Sequence, residues 1–152
     1  MSVILLFEMV NAWVYGSWVA YIIHSNAAMW LIVGISLVLS LAWLNGLCGA
    51  NGVISLHSGL FAFLYYWGLG VVGIPVALVG ACVGWLVGYA KAAVQMGFQG
   101  IVVGIALTIV FDVECSRWQC GLIAFACSCI GVGLGGWQQS VTANQGQRTL
   151  NP

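Results

Sequence analysis

From Met9 to Ala90 the chain runs for 82 residues without one Asp, Glu, Lys or Arg. There and beyond, long apolar runs alternate with short clusters of Ser, Asn, Gly and Pro. A membrane-spanning α-helix needs about 20 mostly apolar residues, within a range of about 17–25. The runs predict helices over about 3–23, 28–44, 53–72, 75–90, 94–111 and 118–137. His24-Ser25-Asn26 ends the first and Asn45-Gly46 the second. The stretch NGLCGANG, 45–52, reads as a loop, because Asn and Gly supply turn conformations. Gly73 closes the third helix and Pro75 opens the fourth, where a missing N–H is harmless. The expected fold is all-α: a polytopic transmembrane helical bundle of about six short spans. The alternative is five, with the third and fourth forming one bent or re-entrant unit around Gly73-Ile74-Pro75. Residues 1–137 then make one transmembrane domain, and 138–152 a polar C-terminal tail without apolar periodicity.

Composition sharpens this picture. The chain has 152 residues, 62% hydrophobic and 4% charged, with a mean hydropathy of +1.08. A soluble domain is about 25% charged, and one of this size has too much surface to hide so apolar a chain. A bilayer solves the problem, so lipid is the first partner. Zero net charge offers nothing to nucleic acid. The opening MSVILLFEMVNAW lacks the positive region of a signal peptide and reads as the start of the first membrane helix. Trp30 and Trp43 near the ends of the second helix, and Trp118 and Trp137 bracketing the sixth, suit interfacial positions. Trp13 and Trp18, in mid-helix, read as packing residues. With six spans both termini share a side. Placing them in the cytoplasm puts Lys91 and Arg148 inside and Arg117 outside, in the sense of the positive-inside rule.

Several helices carry strips of small residues four apart, hence on one face. These are Gly80, Gly84 and Gly88; Gly100 and Gly104, continued by Thr108; Cys127, Gly131 and Gly135; and Ala12, Gly16 and Ala20. Close backbone approach drives helix association in lipid, so the strips predict a tightly packed bundle, a homo-oligomer, or docking to other membrane subunits.

Polar residues inside the spans are the functional candidates, because each is costly there unless it faces protein or water. Lys91, Gln95 and Gln99 share one face. Their alternatives are a solute pathway, or a snorkelling lysine with two glutamines bonding neighbouring helices. Glu8 lies about two turns into the first helix, with Ala12, Gly16, Ala20 and His24 on its face. At membrane depth it needs Lys91, a backbone donor or a proton; the alternative is a shallow, interfacial position. His57, in VISLHSGLF, is either a relay or pore-lining group or a hydrogen-bonding link to a neighbouring helix. Glu8, His57, Lys91, Gln95 and Gln99 are thus the pathway-lining candidates.

The segment FDVECSRWQC, 111–120, holds half of the acidic and basic residues of the chain. Asp112 and Glu114 close the fifth helix against its dipole, so pairing with Arg117 is expected. Cys115 and Cys120 are within reach of a disulfide if the loop is extracytoplasmic. There is no CxxC, so thiol oxidoreductase chemistry is set aside. No Cys/His spacing fits a metal, and no cofactor motif or catalytic residue is expected.

Two stretches, GANGVISLHSGLF (49–61) and IPVALVGACVGWLVGY (74–89), look like a segment of the branched-chain amino-acid-type ABC permeases. Those have a Gly-rich turn, an Ile-Ser-Leu start to the next helix, and then a Gly-rich apolar helix. The likeness covers about a quarter of this chain. The chain departs from the family in lacking a cytoplasmic loop to couple an ATPase, and in being roughly half as long. The resemblance implies transport. The leading expectation is therefore a channel, transporter or permease-like component for a small solute or ion. The alternative is a non-catalytic structural subunit of a larger membrane complex.

Overall fold

The computed structural model describes residues 2–150 apart from 112 and 115, and side chains within 5–144 of that range. The described residues form six α-helices: α1 Ser2–Ile23, α2 Asn26–Leu44, α3 Ala50–Tyr65, α4 Gly73–Val87, α5 Ala92–Val110 and α6 Arg117–Leu150. The segments Asn26–Leu44, Trp67–Val87, Ala92–Val110 and Arg117–Asn144 are long and apolar enough to cross a membrane. The protein is an all-α bundle of membrane-spanning character.

Local chemistry sets the helix ends. His24 takes a positive φ of 53° and stops α1. Ser25 caps α2 by accepting from the Ala28 N–H at 3.3 Å, which satisfies one donor of the first turn. At the far end of α2, Gly46 adopts φ 72°. Its N–H reaches Trp43 O, and the Leu47 N–H reaches Ala42 O, both at 2.9 Å. This is a Schellman closure, which needs a residue tolerant of the left-handed region.

The third helix is shorter than its apolar run. It stops at Tyr65, and Trp67–Val72 winds as a 3-10 turn broken at Gly70, whose φ of 57° and ψ of −126° leave the helical region. The expected extent to 72 is corrected accordingly: Gly68, Gly70 and Gly73 offer the chain too little to hold an α-helix. Pro75 then falls in the first turn of α4. The sixth helix departs in the other direction. It does not stop at 137 but continues through the polar tail to Leu150. No proline interrupts it before Pro152, and between Gly136 and Gly146 there is no glycine, so the turns persist although the apolar stripe ends.

The helices pair into three antiparallel hairpins, α1–α2, α3–α4 and α5–α6. In α1–α2, Gly16 lies against Val33 and Met29. In α3–α4, Gly80 rests on Ala62 and Ser58, Gly84 on Ile54 and Ser58, and Gly88 on Asn51. In α5–α6, Gly97 and Gly100 meet Val132, Ser128 and Cys127, Gly104 meets Ala124, and Gly131 and Gly135 meet Met96 and Ala92. Removing Cβ at these points lets backbones touch, and dispersion over that contact holds helices together where burial in lipid does not.

Between hairpins, the first helices of all three meet one another, and α2 also packs on α3 and α4 touches α5. α1 touches α3 and α5, and α3 touches α5. Val14, Tyr15, Trp18 and Val19 of α1, Leu64 of α3, and Val102 and Ala106 of α5 form one buried apolar core. So α1, α3 and α5 make an inner triad, and α2, α4 and α6 back it from outside. Trp30, Leu31, Ile35 and Val38 of α2, and Leu78, Val79, Val83 and Trp85 of α4, point outward, as lipid contact requires. Trp18 is in the core, whereas Trp13 is about half exposed beside Phe111; the packing role expected of Trp13 does not hold inside the chain.

Candidate functional site

Each inner helix brings one strongly polar side chain to the same depth. Glu8, His57 and Gln99 stand six, seven and seven residues after the first residues of their helices, Ser2, Ala50 and Ala92. All three helices run in the same direction, since consecutive ones alternate, so the three groups converge about two turns in. Around them lie Asn11 and Tyr15 of α1 and Ser36 and Ser40 of α2. All seven side chains are 0–2% exposed.

The contacts join them into one layer. Ser40 Oγ donates to Glu8 Oε2 at 3.2 Å. The same oxygen stands 3.8 Å from His57 Nδ1. Asn11 Nδ2 lies 3.3 Å from that Nδ1; with the amide donating, the ring proton sits on Nε2. Tyr15 stacks on the imidazole, centroids 5.3 Å apart and planes 17° apart. The Gln99 amide approaches the Glu8 carboxylate, yet neither its Nε2 nor its Oε1 closes a hydrogen bond.

The layer is rich in unmatched polar atoms. Glu8 Oε1, Asn11 Oδ1, Tyr15 Oη, Ser36 Oγ, His57 Nε2 and both Gln99 amide atoms have no partner among the described residues. Most buried polar groups in folded proteins are hydrogen-bonded, and one left unmade costs about 1–3 kcal/mol. A cluster of them within a bundle of membrane-spanning character is a reason to look for function.

Apolar residues close the layer on both sides. Val53, Ile54 and Met96 lie a turn nearer the helix starts, and Val14, Trp18, Val102 and Ala106 lie toward the helix ends; all are buried. Two clefts open on the surface of the bundle, one between α1 and α5 and one between α5 and α6. One, of about 440 Å³, is lined by Ser17, Trp18, Tyr21, Ile109 and Val110. The other, of about 420 Å³, is lined by Ala92, Gln95, Gln138, Gln139, Thr142 and Ala143. Along α5 the order is therefore cleft, Gln99, cleft.

Among the candidates from sequence, Glu8, His57 and Gln99 meet here. Glu8 is fully buried, and its partner is the Ser40 hydroxyl rather than Lys91. Lys91 is exposed beside the start of α5. Gln95 is buried one turn from Gln99, but its Nε2 donates to Gly88 O at 2.8 Å and Ala90 O at 2.7 Å, tying down the α4–α5 turn. Asn11, Tyr15, Ser36 and Ser40 are additions. Their signal was present: Asn11 and Tyr15 follow Glu8 at i+3 and i+7, and Ser36 and Ser40 are a pair four apart in an otherwise apolar helix. Following Glu8 along Ala12, Gly16 and Ala20 traces only the i+4 series and misses them.

The 111–120 segment stands apart from this site. Glu114 and Arg117 are exposed and form no ion pair with each other. Cys120 is disulfide-bonded, while Asp112 and Cys115 lie outside the described residues. Cys48, Cys82, Cys127 and Cys129 are free. Among the described residues no group of three His, Cys, Asp or Glu side chains gathers.

No protein-family model, curated protein or solved structure matches the chain. The permease likeness of 49–89 therefore gains no support, and function has to be argued from the site.

Proposed function

We propose that the protein is a small multi-pass membrane transporter or channel that passes a small solute or ion through the layer around Glu8. The observation that carries this is the placement of fully buried, unmatched polar groups between two apolar seals. A stabilising core would satisfy or omit such groups. A translocation site must instead keep binding groups at mid-bundle, closed from at least one side at a time. The seals here close both sides, so passage requires the inner triad to shift against its outer partners. In this reading all six helices cross the bilayer and both termini face the cytoplasm.

The test is flux. Purified protein in liposomes is challenged with gradients of urea, glycerol, NaCl and KCl, and solute movement is followed by stopped-flow light scattering. A pH-sensitive dye trapped inside reports protons. At least one solute is expected to move faster than in empty liposomes, and Glu8→Gln or Gln99→Leu should reduce that rate by tenfold or more, on the order of 1.4 kcal/mol of barrier. Flux absent across the panel would favour the alternative, a non-catalytic subunit of a larger membrane complex. That alternative expects stoichiometric foreign chains in native mass spectrometry, where a self-sufficient transporter shows only monomers or homo-oligomers.

A further inference from the structure

The composition of the layer says what it is built to hold. We infer that the Glu8 layer is a binding site for a single dehydrated monovalent cation of the alkali class. This deepens the transport reading by naming the ligand, and shares with it only the site.

The argument begins with the unmatched atoms. Five are oxygens, on Glu8, Asn11, Tyr15, Ser36 and Gln99; two are nitrogens, on His57 and Gln99. Asn11 Oδ1 and Gln99 Oε1 are carbonyl oxygens and Glu8 Oε1 is a carboxylate oxygen, so none of the three can donate unless Glu8 is protonated. A proton on Glu8 would satisfy one acceptor and leave the others. A cation satisfies several at once, because neutral oxygens can replace its hydration shell.

Charge sets the valence. Among the described residues Glu8 is the only acidic one in the layer, and no basic side chain faces it from α1, α2 or α5; α3 supplies His57 alone. One positive charge neutralises the carboxylate. Two would leave a net charge in a low-dielectric interior, where an unpaired ion is strongly disfavoured. A divalent ion also requires more anionic ligands, and the described residues gather no such set.

The geometry around Glu8 Oε2 agrees. With Asn11 donating to His57 Nδ1, the ring's one acceptor nitrogen is engaged, and that nitrogen has no proton to offer the Glu8 oxygen 3.8 Å away. Glu8, Asn11 and Tyr15 lie on one stripe of α1, Ser36 is one turn from the Ser40 that bonds Glu8, and Gln99 approaches Glu8 directly. The candidate donor oxygens thus come from side chains of one buried layer.

Binding is measured on the purified full-length protein in mild detergent, with choline chloride holding ionic strength constant. Thermal unfolding is followed while NaCl, KCl or LiCl replaces choline. At least one cation should raise the midpoint saturably, as a ligand of the folded state must, and MgCl2 or CaCl2 should not do so at equal concentration. Glu8→Gln should abolish the dependence. If that variant does not fold, Asn11→Ala and Ser36→Ala each remove one neutral oxygen and should weaken the apparent affinity by roughly tenfold, a typical consequence of altering a cation site. A folded wild-type protein indifferent to all three cations would overturn the inference, and so would an equal response to Mg²⁺ or Ca²⁺. Cation binding without flux in liposomes would sink the transport reading and leave this one standing. Flux of a neutral solute with no cation effect would do the reverse.

Discussion

Single atoms decide much of this molecule. At Gly100 a Cβ would run into the Cys127 carbonyl and the Ser128 Cα, whereas at Gly34 it would meet nothing within 4 Å. Gly100→Ala should therefore force α5 and α6 apart and cost about 1–3 kcal/mol, the usual penalty for overpacking. Gly34→Ala should change stability by less than about 0.5 kcal/mol. Unfolding in detergent compares the two directly, and equal stabilities would show that the α5–α6 approach is not as close as described. The glycine strips were legible in the sequence because spacing of four fixes a common face. Which helix each strip would meet was not, since any smooth strip can receive any other.

At the level of whole helices, caps and breaks matter more than hydropathy. Ser116 donates its Oγ and its N–H to Gln119 Oε1 at 2.9 and 2.8 Å just before α6 begins, one half of a capping box spaced S-x-x-Q. The signal lay inside FDVECSRWQC, where the charged residues and cysteines drew attention instead. Gly70 is the opposite case, a break inside an apolar run. Its backbone conformation is open to glycine and strained for other residues. Gly70→Ala should cost about 1–3 kcal/mol of strain, while Gly68→Ala, with open space and no unusual φ, serves as its control. A midpoint shift no larger at 70 than at 68 would mean that the α3–α4 connection tolerates other geometries.

Over the whole molecule the organising feature is inner against outer. The helices carrying Glu8, His57 and Gln99 touch one another, and their partners turn mostly outward, α2 adding Ser36 and Ser40 to the layer. This predicts a topology: with six crossings, tags on the N- and C-termini become accessible from the same side of sealed vesicles, and a tag inserted between Glu114 and Arg117 from the other. Protease protection distinguishes the cases, and termini on opposite sides would require five crossings, with α3 and α4 sharing one. The same arrangement explains why Gln99 and Lys91, on one stripe of one helix, part company. Gln99 is buried beside Glu8 of α1, while Lys91 stands exposed at the helix start.

Class and element content follow from composition alone: a chain this apolar must lie in lipid, and lipid demands that every backbone group be bonded within a helix or a closed barrel. Runs of about 20 residues select helices. Glu8, His57 and Gln99 could each be suspected singly, because polar groups are expensive at membrane depth. That they stand at one depth, and that Ser40, Asn11 and Tyr15 complete their surroundings, depends on which helices are neighbours. Neighbour choice in a membrane rests on close fit between surfaces and on a few hydrogen bonds, contacts between residues as far apart in the chain as Asn11 and His57. A one-dimensional pattern records the faces of helices, and folding in three dimensions alone determines which faces meet.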